Sequence, residues 1–193
     1  MQAPLTALEQ TLHDADPWRR QFRFLDTRAA VAVILRENGD GLEVLLTRRT
    51  PRDGDPWSGH VAFPGGLRDE GDPDDLATAV RETDEEIGLA LDREQCLGRL
   101  PAWLTRTHTN WMPMAVVPWV FHWQGPAECT LNHEVAEVFW VPIHALRNPQ
   151  NAARRSWNFA GVSWSMHGWD WQGRIIWGLT YHMLRSLLRQ IDE

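Results

Sequence analysis

The chain has 193 residues, 43% of them hydrophobic and 23% charged, which suits one globular domain with a real core and is too short for two ordinary ones. A formal net charge of −7 argues against general nucleic-acid binding, and an anionic substrate would need a metal ion or a local basic patch to compensate. The two cysteines, Cys96 and Cys129, lack metal-ligand spacing, no apolar run reaches membrane-spanning length, and no signal-peptide pattern opens the chain, so a cytoplasmic protein with no membrane partner is expected.

Residues 1–24 read as an amphipathic helix carrying Leu5, Leu8 and Leu12, then a DPW turn and the basic-aromatic stretch WRRQFRF. This segment could pack across the domain or support a homodimer. AAVAVIL (Ala29–Leu35) reads as a buried strand, Asn38-Gly39-Asp40-Gly41 as a turn, and LEVLLTRR as the returning strand. The hairpin delivers Arg48 and Arg49 to its end, where they could meet phosphates, Arg49 being the better candidate. TPRDGDPWSGH follows as a loop by its Pro, Gly and Asp content.

The stretch Gly65–Leu89, GGLRDEGDPDDLATAVRETDEEIGL, carries the strongest chemical signal. Asp72 before Pro73 reads as an N-cap with proline at the first helical position, and Gly88 as the helix stop. Leu76, Val80, Thr83 and Ile87 recur at helical spacing as a buried stripe. Glu82, Glu85 and Glu86 project from another face, with Glu82 and Glu86 one turn apart. Like charges at this spacing repel by a few tenths of a kcal/mol per pair, and near a helix C-terminus they also oppose the macrodipole. Carboxylates converging with a backbone carbonyl suit a hard divalent cation, Mg²⁺ or Mn²⁺.

Beyond it, GRLPAWLTRTHTNWMPMAVVPWVFHW gives a weak strand, a polar loop with His108 as a possible substrate contact, and an apolar strand. Pro118 suggests that this last strand is an edge or ends there. VFWVPI reads as another buried strand, and residues 147–155 as a loop or short helical turn. SWNFAGVSWSMHGWDWQG suggests an aromatic hairpin, and RIIWGLTYHMLRSLLRQI an amphipathic helix with Ile176, Leu179, Met183, Leu187 and Ile191 in register. Of twelve tryptophans, most should be packing residues; Trp57, Trp111 or Trp157 could stack on a nucleobase.

The helical stretch resembles the Nudix box, G-x5-E-x7-R-E-U-x-E-E-x-G-U with U apolar. Counted from Gly66, Asp72 stands where the box has its first Glu, and eight residues precede Arg81 rather than seven. Arg81, Glu82, Glu85, Glu86, Gly88 and Leu89 match, and Thr83 occupies an apolar position. The insertion and the Asp resemble the coenzyme A pyrophosphatase-like branch, as do LLTRR before Gly59-x3-Phe63-Pro64-Gly65-Gly66 and the later IWGLT. Asp55, where that branch has an arginine, departs from it, as do Trp57 and His60.

The resemblance implies an α/β/α sandwich with a mixed β-sheet over residues 29–193, preceded by an extension, 1–28. It implies hydrolysis of the pyrophosphate of a nucleoside diphosphate-linked compound, coenzyme A or a derivative, with ADP-ribose, a nucleotide sugar or another dinucleotide as the alternative. A nucleotide-binding protein without turnover is the rival of another class. Glu82, Glu85 and Glu86 with the carbonyl of Gly65 or Gly66 would hold Mg²⁺ or Mn²⁺, and Arg81 would orient a glutamate. Glu134 would join the metal or act as base, with Glu137 competing; Arg48, Arg49 and Trp57 would meet the substrate.

Overall fold

The computed structural model describes residues 3–14, 27–54, 57–107, 112–126, 128–159 and 162–192. In chain order its elements begin with α1 (Ala3–Asp14), β1 (Arg28–Asn38), β2 (Gly41–Arg49), β3 (Val61–Ala62), β4 (Gly65–Leu67) and α2 (Asp75–Ile87). There follow β5 (Cys96–Arg99), β6 (Trp103–Arg106), β7 (Pro113–His122), β8 (Val135–Pro142), α3 (Ile143–Arg147), β9 (Ala152–Phe159), β10 (Val162–Trp171), β11 (Arg174–Trp177) and α4 (Gly178–Asp192).

β1 organises the main sheet. Ala29, Val33 and Leu35 pack into one core and Ala30, Ala32 and Ile34 into the other, so its run of apolar residues is apolar because both faces are covered. The Asn38 side chain accepts from the Asp40 N–H at 2.8 Å and closes the turn into antiparallel β2. β7 runs parallel to β1 on its other flank, β4 pairs the start of β1, and β8 and β3 pair β2, all three antiparallel. One parallel pairing among antiparallel ones makes the sheet mixed. α1 and α4 pack on the first core through Leu5, Leu8, Leu12, Met183, Leu184 and Leu187. α2 packs on the second through Leu76, Ala79 and Ile87, which completes the expected α/β/α sandwich. Because Leu5, Leu8 and Leu12 face the domain's own core, a homodimer would have to use other surface.

β9, β10 and β11 form a separate antiparallel sheet, the aromatic hairpin extended by one strand. Three expectations need correction. Pro118 lies inside β7, between β1 and the β5–β6 side, rather than at an edge or strand end. It is tolerated because β6 pairs residues 113–116 and β5 pairs 119–121, leaving Pro118 between them with its carbonyl accepting from Leu100 at 2.9 Å. RIIW is a strand, so Ile176 belongs to β11 and the C-terminal helix starts only at Gly178. The stretch 147–155 is split between the end of α3, a short 3₁₀ turn and β9, which begins at Ala152. No described helix is long and apolar enough to cross a membrane.

Candidate active site

α2 begins two residues later than its sequence suggests. The N-cap is Asp74, whose side chain accepts from the Ala77 N–H at 2.8 Å. Asp72 has another task. Its carboxylate takes a two-pronged pair of bonds from Arg81, Nε to Oδ1 and Nη2 to Oδ2, each 3.0 Å, and further bonds from Thr78 Oγ1 at 2.9 Å and the Asp69 N–H at 3.0 Å. Asp72 is 7% exposed, and the Arg81 hydrogen bonds foremost hold its carboxyl far below the usual carboxylate range. Arg81 is thereby fixed, and its Nη1 reaches Glu82 Oε1 at 2.9 Å and Glu85 Oε2 at 3.0 Å. Its Nη2 also donates to the Leu67 carbonyl at 3.1 Å.

The glutamates of α2 differ in surroundings. Glu85 is exposed and turned onto Arg81. Glu82 lies against the first residues of β4: a Cβ on Gly66 would sit 2.5–2.6 Å from its carboxylate atoms, so a side chain there would displace the Glu82 carboxylate. Burial raises the Glu82 pKa against the pull of Arg81. Glu86 is 6% exposed, and its Oε2 accepts from the Gly65 N–H at 3.0 Å. Burial pushes its pKa up to about 7, the charges of Glu82 and Glu134 adding to the rise while the Gly65 bond and Arg49 oppose it.

Glu134 and Glu137, both proposed by sequence, part company here. Glu137 is clamped between Arg174 and Arg48, the latter at 3.1 Å, and the Arg174 bonds lead in lowering its pKa. That clamp also occupies the head of Arg48, at the point where the β2–β8 pairing shifts register before Arg49. Arg49 acts electrostatically on Glu86. Glu134 is held in the loop before β8: its carbonyl accepts from Thr50 N–H and its own N–H donates to Asn132 Oδ1, both at 2.8 Å, while Arg52 stands 3.4 Å from its carboxylate. Asn132 was not singled out from sequence, whereas Arg52, a basic residue of the TPRDGDPWSGH loop, stood there as an alternative phosphate contact. The N-x-E spacing is an Asx-turn pattern that could have drawn attention to Asn132.

Trp57, 39% exposed, stands edge-on to His60 at 5.7 Å, His60 stands edge-on to Trp177 at 4.7 Å, and Arg155 lies 5.0 Å over Trp177. Asp55, His108 and Trp111 lie outside the described residues, as does the side chain of Trp157.

The donor set fits a hard cation in part. Glu82, Glu86 and the Gly65-Gly66 backbone adjoin one another, and two buried carboxylates whose ionisation is unfavourable make a recess that a positive charge would stabilise. Among the described residues, no three Asp, Glu, His or Cys side chains group tightly enough to hold a metal, because Glu85 is turned to Arg81 and Glu134 to Arg52.

An α/β/α sandwich in which paired helix glutamates lie against the glycine start of β4, with Arg81 and Arg49 nearby, defines a class of site suited to holding a cation beside an anionic ligand. The family model of the NUDIX domain matches residues 26–160, and the chain belongs to the Nudix family. It is 31% identical over 167 residues to Nudix hydrolase 22, chloroplastic, of Arabidopsis thaliana, covering 84% of this chain and 54% of that protein. It is 33% identical over 140 residues to the peroxisomal coenzyme A diphosphatase NUDT7 of Mus musculus, covering 72% of this chain and 57% of that one. The chain thus spans little more than half the length of either relative. The NUDIX domain of Shewanella oneidensis NrtR, solved in complex with ADP ribose, shares the fold with a TM-score of 0.55 at 18% identity, covering 95% of each chain.

Proposed function

We propose that the chain is a divalent-metal-dependent pyrophosphohydrolase that cleaves a nucleoside diphosphate-linked compound, with coenzyme A or a derivative as the first candidate. The observation that carries it is the buried Glu86 beside Glu82 against the Gly65-Gly66 start of β4, a charge arrangement that is unfavourable without a cation. The substrate class is supported by the 33% identity to a coenzyme A diphosphatase together with LLTRR, FPGG and IWGLT.

Glu82, Glu86 and the Gly66 carbonyl would hold Mg²⁺ or Mn²⁺, with Glu85 joining once it leaves Arg81. Such an ion, when bound, polarises a phosphoryl oxygen and makes its water more acidic. Glu134 takes the proton of the attacking water, since Glu137 is committed to two arginines. Arg49 places positive charge toward the pyrophosphate, Arg81 positions the helix glutamates without touching substrate, and Trp57 offers an aromatic face to the base. Arg48, held by Glu137, takes the smaller part in binding. The cytoplasm is the proposed compartment, consistent with neither Cys96 nor Cys129 forming a disulfide.

The test is a panel of pyrophosphate metabolites (coenzyme A, dephospho-coenzyme A, ADP-ribose, nucleotide sugars and dinucleotides) with Mg²⁺ or Mn²⁺, products identified by mass. Turnover that stops with chelator is the expected result. Tight binding without turnover of any of them would favour the non-catalytic alternative.

A further inference from the structure

We infer that Asn132 is a positioning residue for the reaction: it fixes Glu134 to the C-terminal end of α2 and so sets where the loop glutamate stands relative to the helix glutamates. The inference rests on the proposed function, in which Glu134 is the proton acceptor.

The last carbonyls of a helix have no partner within it. At the end of α2, two of them are capped by one passing segment: the Glu86 carbonyl accepts from the Asn132 N–H at 2.9 Å and the Ile87 carbonyl from the Thr130 N–H at 2.8 Å. The segment is pressed close. Gly88 is left-handed (φ 65°), and a Cβ there would stand 3.0 Å from Thr130 Cβ and 3.2 Å from its carbonyl oxygen.

Asn132 then acts a second time. Its Oδ1 accepts from the Glu134 N–H at 2.8 Å, the Asx-turn bond, which turns the chain over the two residues that follow its contact with the Glu86 carbonyl. One residue therefore holds the backbone of Glu86 with its N–H and the backbone of Glu134 with its side chain. The Thr50 N–H completes the grip from the end of β2, beside Arg49. Both outer bonds of this bridge use backbone, so the Asn132 side chain is the element that sequence change can remove. A serine hydroxyl forms the same turn more weakly, whereas alanine cannot form it.

The experiment measures kcat and KM for coenzyme A, with ADP-ribose in parallel, in Mg²⁺, for the wild type, Asn132→Ala, Asn132→Ser, Glu134→Gln and Asn132→Ala combined with Glu134→Gln. A small misplacement of a reacting group costs up to about 100-fold, so Asn132→Ala should lower kcat about 10- to 100-fold with KM within about two-fold, and Asn132→Ser should recover most of it. In the Glu134→Gln background Asn132→Ala should change kcat by less than about two-fold, because both act through one group. If Asn132→Ala proves too unstable to assay, the serine variant carries the test: a several-fold fall in kcat with unchanged KM supports the inference. Wild-type kcat in Asn132→Ala, a rise in KM alone, no rescue by serine, or losses that multiply with Glu134→Gln would each overturn it. Glu134→Gln at wild-type rate would instead overturn the base assignment itself, and a wild type inert on both probes the choice of substrate.

Discussion

Glu86 is the residue whose chemistry the fold makes most conspicuous, and Glu86→Gln turns that into a measurement. A glutamate carboxyl ordinarily titrates at 4.5; here burial pushes it up to about 7. At about 1.4 kcal/mol for each tenfold change in proton affinity, ionising Glu86 costs the metal-free fold about 3 kcal/mol. Between pH 4.5 and 7 the native protein keeps a proton that the unfolded chain has released, so stability falls as pH rises through that window. The penalty is absent below it and complete above it. Glutamine keeps an oxygen for the Gly65 N–H and removes the charge. The variant should match the wild type near pH 4.5 and exceed it at pH 8 by about 1–3 kcal/mol, roughly 3–10 °C in Tm for a chain of this size. Thermal and urea melts in EDTA at both pH values read this directly. Added Mg²⁺ should then raise the wild-type Tm by mass action and raise the variant less. A glutamine variant no more stable than wild type at pH 8 in EDTA would refute the reasoning, and an equal Mg²⁺ shift in both would place the ion elsewhere.

Glu134→Gln should lower kcat about 10²- to 10⁴-fold, as loss of a general base does, whereas Glu137→Gln should act mainly on stability; comparable kcat losses from both would remove the distinction drawn from the Arg48–Glu137–Arg174 clamp. Trp57→Ala should narrow the difference in inhibition between AMP and ribose 5-phosphate by about 5- to 100-fold if the indole stacks on the base, and Trp57→Phe should largely keep it; equal weakening of both inhibitors would speak against stacking. Asp55 stands where the related signature has an arginine, so coenzyme A should show little advantage over its dephospho form and Asp55→Arg should increase the ratio of the two kcat/KM values. A strong wild-type preference for the 3′-phosphorylated form would move that contact to another arginine. Asp72→Glu should lower Tm and kcat together, because an added methylene must enter a site where both carboxylate oxygens already have donors at 2.9–3.0 Å; unchanged melts would show that the site has room.

The periodic parts of the chain were readable because their period is the fold's own. Ala29–Leu35 is apolar without alternation, as a strand covered on both faces must be, and the stripe of α2 lies where 3.6-residue spacing puts it. Pro118 misled because a proline excludes pairing only where a neighbour needs its N–H, and the break between β5 and β6 removes that need. RIIW misled because four apolar or basic residues continue the helical register of α4 without interruption, while their pairing with β10 is a tertiary fact. In the site, Glu82, Glu85 and Glu86 were legible as types at a spacing. Their unequal roles were not, since the burial of Glu82 and Glu86 against β4, and the Asp72 carboxylate that fixes Arg81, are tertiary facts.

Asp72 illustrates how a local departure can leave a site intact. A helix N-cap and an anchor for Arg81 both call for a short acid, and sequence alone assigned the first task to Asp72. In the fold Asp74 caps the helix, which frees Asp72 to sit in the loop and meet Arg81 with both oxygens. Thr78 and the Asp69 N–H fill the remaining acceptor positions, so the buried carboxylate stays ionised with four donors around it. Arg81 in turn keeps charge at Glu82 and Glu85 partly neutralised, while Glu86, further along the helix and buried, has the Gly65 N–H and the field of Arg49. The negative charge least met by arginine on this face is thus at Glu86, beside the Gly65-Gly66 start of β4, which is where a divalent cation would gain most by binding.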